Sequence, residues 1–208
     1  MRRQVYASVL ELDPAGIHAA LDTLVAAGID GFHLDVADGR FIPRTVGTPA
    51  LARALAATGL PFEVHLMTAD PARDATRYAA AGARVVYAHA EVGERRLEQA
   101  FDAIERGGAE IGLALRLETG LEIVAPYLDH VAALLLLGVP AGRGGQPMGA
   151  AAPARLTEAA RRYPALSRCA DGGVTAATAP ALDAPLLVAG RALDVADPAA
   201  VLDAIRGS

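Results

Sequence analysis

Short apolar runs alternate with helix-patterned segments along all 208 residues, and this alternation limits the fold more than any other feature. Val5–Leu10 reads as a first strand, and Asp13-Pro14 as the N-cap and first position of a helix. That helix carries Ile17, Ala20, Leu21, Leu24 and Val25 on one face, the spacing of an amphipathic helix, and Gly28 ends it. Further strands are expected at Gly31–Val36, Phe62–Met67, Arg84–Ala88, Glu110–Leu115, Val131–Leu137, Leu166–Ala170 and Leu186–Ala189. The helical segments between them are Thr48–Thr58, one opened by Asp70-Pro71, Glu94–Arg106, a short stretch at Leu121–Tyr127, Ala150–Tyr163 and a short one from Thr175. Asp197-Pro198 opens the last. Regular alternation of this kind implies a parallel sheet covered by helices. Eight such units predict an α/β chain closed into a (β/α)8 barrel, a single compact domain over residues 1–208. An open doubly wound sheet would need a glycine-rich turn after the first strand, and Ser8-Val9-Leu10-Glu11 is not one.

Composition removes several function classes. The net charge is −5 with no basic block, so nucleic acid is not an expected partner. All 19 basic residues are arginine, which excludes a lysine Schiff base or a lysine acid or base. No apolar run reaches the length of a membrane span, so no membrane partner is expected. Glu11 and Asp13 follow Arg2-Arg3 too soon for a secretory signal, and the single Cys169 cannot form an internal disulfide. Both point to a cytoplasmic protein.

Active residues of such barrels stand at the C-terminal ends of the strands. In Gly31–Val36, alternation sends Phe32, Leu34 and Val36 toward the helices and His33 and Asp35 into the barrel mouth. In Phe62–Met67 it sends Phe62, Val64 and Leu66 outward and His65 and Met67 inward. Asp171 follows the seventh strand directly. His33, Asp35, His65 and Asp171 thus converge. Buried charge is costly unless paired or coordinated, and two imidazoles with two carboxylates suit one divalent transition metal, whether zinc, iron(II), manganese or cobalt. A metal-free hydrogen-bond network is the other reading of the same residues. A second cluster is glycine: Gly142, Gly144 and Gly145 after the sixth strand, Gly172 and Gly173 after the seventh, Gly190 after the eighth. Loops there offer backbone amides to a phosphate, although each glycine also serves a tight turn.

The segments H-L-D-V-A-D-G-R-F-I-P (33–43), E-V-H-L-M (63–67), A-H-A-E (88–91), G-x-G-G-Q (142–146), A-D-G-G (170–173) and V-A-G (188–190) occur in this order over nearly the whole chain. Together they resemble the ribulose-phosphate 3-epimerase family. The resemblance implies a TIM barrel of the ribulose-phosphate-binding type and an isomerase of the pentose phosphate pathway. It implies epimerisation of D-ribulose 5-phosphate to D-xylulose 5-phosphate through an enediolate, with a divalent metal held by His33, Asp35, His65 and Asp171. Asp35 and Asp171 would be the paired acid and base on opposite faces of the carbon. Ser8, His65, Met67, Gly142, Gly144, Gly145, Gly172, Gly173, Gly190 and Arg191 match substrate-contacting or neighbouring loop positions. A small phosphorylated sugar is the implied partner, and a homo-oligomer the implied assembly.

The substrate wall departs from the family pattern. Ala37 and Leu137 stand where methionines are usual, Arg44 where asparagine is, and Arg191 where serine is common. The loop usually written N-P-G-F-G-G-Q is Pro140-Ala141-Gly142-Arg143-Gly144-Gly145-Gln146, and the first-strand signature is reduced to Ala7-Ser8-Val9-Leu10-Glu11-Leu12-Asp13. These changes predict a divergent member with the proton-transfer chemistry kept. Arg44, Arg143 and Arg191 are read as anion grips or as solvent-facing loop charges. Three alternatives follow: an epimerase of another ketose phosphate, a metal-dependent lyase, or a non-catalytic sugar-phosphate-binding homologue. His89 and Glu91 read either as groups that orient a metal ligand or as structural hydrogen-bonders. Asp38 is expected in a turn, Cys169 in packing, and His18 and His130 in structural roles.

Overall fold

The computed structural model describes residues 2–10, 12, 14–142 and 144–207. Eight parallel strands form the barrel: β1 (Gln4–Ser8), β2 (Gly31–Asp38), β3 (Phe62–Met67), β4 (Val85–His89), β5 (Glu110–Leu115), β6 (Ala133–Leu137), β7 (Ser167–Asp171) and β8 (Leu186–Ala189). Each pairs with the next, and β1 pairs with both β2 and β8, so the sheet closes. A two-residue stretch, Thr45–Val46, adds antiparallel to the end of β2, pairing with Ala37 and Asp38. No helix among the described residues is long and apolar enough to cross a membrane.

The strands fall within one to two residues of their expected limits. Outward residues Phe32, Leu34, Val36, Phe62, Val64 and Leu66 join the large core between strands and helices. Full burial of one such side chain stabilises the fold by about 1.5–3 kcal/mol. Inward residues form a separate core inside the barrel, around Tyr6, Tyr87, Leu135 and Cys169. There, large rings are accommodated by glycines: a Cβ on Gly112 would collide with the Tyr87 ring, and one on Gly31 would lie 2.6 Å from Tyr6.

The α-helices are α1 (Ile17–Ala26), α2 (Pro49–Ala57), α3 (Pro71–Ala80), α4 (Glu94–Arg106), α5 (Ala152–Arg162) and α6 (Pro198–Arg206). Proline occupies the first turn of α2, α3, α5 and α6, where its missing N–H costs nothing. The Asp197 side chain caps α6 through Ala200 N–H. The expected start of the first helix is corrected. Pro14–Gly16 forms a 3-10 turn and the α-helix opens only at Ile17; Asp13 lies outside the described residues. Its apolar face is also narrower than the periodicity suggests, because Leu21 and Leu24 are buried while Val25 is exposed. The short segments after β5 and β7 are 3-10 turns, Leu121–Tyr127 and Ala179–Ala181, each containing proline, which denies a longer helix its i→i−4 bonds.

Candidate active site

Successive inward residues on β1, β2, β3, β4 and β7 stack two layers inside the barrel. The layer at the C-terminal ends holds Ser8, Asp35, His65, His89 and Asp171, with His33 one alternation step below Asp35. One ligand atom each from His33, Asp35, His65 and Asp171 falls within 4.8 Å of the others. His65 Nδ1 lies 2.9 Å from Asp35 Oδ1, within hydrogen-bond reach, and 3.7 Å from Asp171 Oδ2. His33 Nε2 is 3.7 Å from Asp35 Oδ1. Ser8 Oγ donates to Asp35 Oδ2 at 3.0 Å, so both oxygens of that carboxylate are engaged.

The electrostatics separate the two carboxylates. Burial works to raise Asp35, but the hydrogen bond from His65 and the close imidazoles of His33 and His65 hold it far below the ordinary carboxylate range. Asp171 is pushed up, first by burial and then by the Asp35 charge beside it. Burial pulls His33 down, yet Asp35, Asp171 and Glu63 outweigh it and hold the imidazole at about 9. One carboxyl is thus kept ionised and its neighbour favours a proton, the division of labour that general acid–base chemistry uses.

This donor set also suits a metal ion. The set is two imidazole nitrogens and two carboxylate oxygens, a shell that divalent transition metals take. A second observation agrees. Both ring nitrogens of His33 are fully buried and neither makes a hydrogen bond among the described residues. A buried polar atom without a partner costs about 1–3 kcal/mol, and a cation at this cluster would relieve it at one nitrogen.

Above the cluster a cavity of about 330 Å³ opens between the loops. Asp35, His65 and Asp171 form part of its floor, while His33 lies beneath it. Ser8, Met67, Gly142, Gly144, Gly145, Gly172, Gly173, Gly190 and Arg191 all line it. So do Leu137 and Ala141, both at departures from the family pattern, and Val139, Val174 and Thr175, which the sequence did not mark as site residues. Gly173 has φ +75°, and a Cβ there would sit 2.7 Å from Met148 N, so its turn demands glycine whatever the ligand. Ala37 is buried in a small apolar cluster with Ile42 and Met67. Arg44 donates to Gly142 O at 3.1 Å, tying the loop after β2 to the loop after β6. The Arg191 side chain runs close past Gly145. Arg143 lies outside the described residues.

Other expectations resolve simply. Asp38 accepts from Arg40 and Phe41 N–H with one oxygen and from Ala69 N–H with the other, so it holds the loops after β2 and β3 together. Cys169 is buried and its thiol is pushed well up by burial. His18 and His130 are exposed.

Sequence reasoning missed two features. Glu63 faces inward two residues before His65, is almost fully buried, and accepts from Tyr87 Oη at 3.1 Å. Strand alternation carries that signal, since Glu63 shares the face of His65. The second is an aromatic stack. The Phe41 ring packs on His89 with centroids 4.8 Å apart, and the Arg116 guanidinium lies 4.3 Å from the centroid of the Phe41 ring.

The Ribulose-phosphate 3 epimerase family model matches residues 4–193. "Ribulose-phosphate 3-epimerase, cytoplasmic isoform" of Oryza sativa subsp. japonica is 31% identical over 97% of this chain and 92% of its own length. Ribulose-phosphate 3-epimerase of Bacillus subtilis is 31% identical over 99% of each. Among solved structures, KGPDC from Streptococcus mutans superposes with a TM-score of 0.73 at 16% identity, covering 100% of this chain and 97% of that one. That likeness shows the barrel and nothing finer. The chain belongs to the ribulose-phosphate 3-epimerase family, and it is an isomerase of the class that epimerises carbohydrates.

Proposed function

We propose that this chain converts D-ribulose 5-phosphate to D-xylulose 5-phosphate by two-carboxylate proton transfer, in the cytoplasm, as one barrel domain spanning 1–208 and as a homo-oligomer. The observation that carries the reading is the opposed pair at the cavity floor: Asp35 held ionised by two imidazoles, Asp171 pushed toward its protonated form. Epimerisation beside a ketone removes a proton from one face of the carbon and returns one to the other. A single base does not easily serve both faces, whereas two carboxyls on opposite sides of the carbon do.

In this assignment Asp35 accepts the C3 proton in one direction and Asp171 delivers its own to the opposite face. In the reverse direction the roles exchange. Ser8, hydrogen-bonded to Asp35, orients that carboxylate. His33, Asp35, His65 and Asp171 would hold one divalent ion, zinc, iron(II), manganese or cobalt. When bound, such an ion supplies Lewis-acid stabilisation of negative charge on the substrate oxygens. Met67 and Leu137 wall the reacting carbon from water. The backbone of Gly144, Gly145, Gly172, Gly173 and Gly190, with Arg191, grips the phosphate and so fixes orientation at the far end.

The test compares turnover of D-ribulose 5-phosphate with that of other ketose phosphates by the purified, metal-analysed protein. A preference of tenfold or more for D-ribulose 5-phosphate is expected. Faster turnover of another ketose phosphate would reassign the substrate, and released aldehyde or carbon dioxide would make the chain a lyase.

A further inference from the structure

The two imidazoles of the cluster are held very differently, and the difference runs outward along a chain of hydrogen bonds. His65 presents Nδ1 to Asp35 and Asp171, and its other nitrogen, Nε2, lies 2.8 Å from His89 Nε2. His89 Nδ1 lies 2.7 Å from Glu91 Oε2. The opposite oxygen, Oε1, accepts from Arg116 N–H at 2.8 Å and from the Thr119 hydroxyl. Thr119 is itself anchored, since Arg155 donates to its carbonyl. His89 is fully buried, and Phe41 covers its ring.

Proton positions follow from one end of this chain. A backbone N–H only donates, so Glu91 Oε1 is an acceptor, and the ionised carboxylate has no proton to give at Oε2. His89 Nδ1 therefore carries a hydrogen and donates it to Glu91. The buried, neutral ring then has a lone pair at Nε2. Two facing ring nitrogens at 2.8 Å share one hydrogen between them, so His65 Nε2 carries it. His65 Nδ1, 2.9 Å from Asp35 Oδ1, then offers a lone pair when a cation takes the place of the hydrogen it shares with that carboxylate.

We infer that Glu91 and His89 are positioning residues that fix a hydrogen on His65 Nε2, so that Nδ1 is the nitrogen of this ring that a divalent cation would take. The inference rests on the metal reading of the cluster. Neither residue touches the cavity: Glu91 acts through His89, and His89 through His65. The ring orientation is fixed by the same bonds, an arrangement that commonly changes metal affinity by about 10–100-fold when disrupted.

The isosteric variant Glu91→Gln is the informative one. Arg116 N–H and the Thr119 hydroxyl require an oxygen on their side, which turns the amide NH2 toward His89. His89 Nδ1 must then accept, its Nε2 must donate, and His65 is left with its hydrogen on Nδ1, where a cation would bind. Zinc affinity is measured by chelator competition on the metal-stripped wild type and on Glu91→Gln. The affinity is expected to fall by about 10–100-fold in the variant, and values within twofold of each other would overturn the inference. Imidazole 15N spectra of the zinc-loaded wild type give a readout that needs no variant. A metal-shifted Nδ1 on His65 with a hydrogen on His89 Nδ1 is expected, and a hydrogen on His89 Nε2 would overturn the chain. A wild type that binds no zinc would instead remove the metal reading, and this inference with it.

Discussion

Two layers of polar residues share the inside of this barrel, one alternation step apart. Ser8, His65 and Asp171 line the mouth, with His89 beside His65; Tyr6, Glu63, Tyr87 and Cys169 stand two positions before Ser8, His65, His89 and Asp171, toward the other end of the barrel. The inner layer is fully buried, whereas Ser8 and Asp171 of the mouth are part-buried, and the electrostatics diverge as well. In the inner layer, burial raises Glu63, lifts Tyr6 to about 12, and pushes Tyr87 and Cys169 well up, so every group moves toward its neutral form. In the mouth the imidazoles and carboxylates face one another, and the ionised forms of His33 and Asp35 survive burial. Burial alone therefore does not make a reactive site; the pairing of opposite charge beneath an open cavity does. The inner layer fills and shapes the barrel.

The largest effect that would sharpen this contrast comes from the mouth carboxylates. Asp35→Asn and Asp171→Asn are each expected to lower kcat by about 10²–10⁴-fold, the usual contribution of a positioned acid or base, as read by coupled assay of product. A variant of either that keeps a tenth of wild-type turnover would break the two-carboxylate account.

Metal removal comes next. Stripping the protein with a chelator is expected to abolish most turnover, and zinc at about 100 times its Kd should stabilise the fold by about 2.7 kcal/mol. Thermal melts with and without zinc check this; coincident melts would speak against the cluster as a metal site.

The pH dependence of the metal-free fold is a smaller effect with a definite sign. His33 is held at about 9, above its ordinary value of 6.5, so its contribution is fully present below pH 6.5 and is lost as pH rises through 9. Asp171 and Glu63 are also raised, so their contributions are likewise lost as pH rises above their ordinary values. Tm of the stripped protein should therefore fall by several degrees between pH 6.5 and 9. A Tm that rises over that range would contradict the assignment of charge in the mouth.

The smallest effect belongs to the inner layer. Glu63→Gln keeps the shape and the bond to Tyr87 while removing a carboxyl that burial already disfavours as an anion. Turnover within about threefold of wild type is expected, because the amide has nearly the volume and shape of the acid it replaces. A loss comparable to that of the mouth variants would erase the distinction between the layers.

Much of this was legible in the sequence because strand alternation is a local rule. It assigned His33, Asp35, His65 and Met67 to the interior from the pattern of their own strands, and the loop glycines to the same barrel end. Local rules failed where the deciding partner is distant in sequence. Glu63 obeys the alternation, but its partner Tyr87 is 24 residues away. Glu91 meets Arg116 and Thr119 25 and 28 residues on, so the sequence could name His89 and Glu91 as orienting groups or as structural hydrogen-bonders but could not choose between them. The late start of α1 has a similar cause. Asp13-Pro14 is a valid helix opening by composition, but the chain makes a 3-10 turn at Pro14–Gly16 before the α-helix begins at Ile17. Prolines at 126 and 180 marked short segments without saying that these would be 3-10 rather than α.

The central claim is that Asp35 and Asp171 move protons on opposite faces of one substrate carbon. The measurement that reaches it most directly is solvent exchange: incubate the zinc-loaded wild type, Asp35→Asn and Asp171→Asn with D-ribulose 5-phosphate in deuterium oxide and follow C3 by NMR. The account predicts that the wild type forms D-xylulose 5-phosphate with deuterium at C3, and that neither variant epimerises at more than about a hundredth of that rate. Zinc-loaded wild type that incorporates no deuterium and forms no D-xylulose 5-phosphate would contradict it.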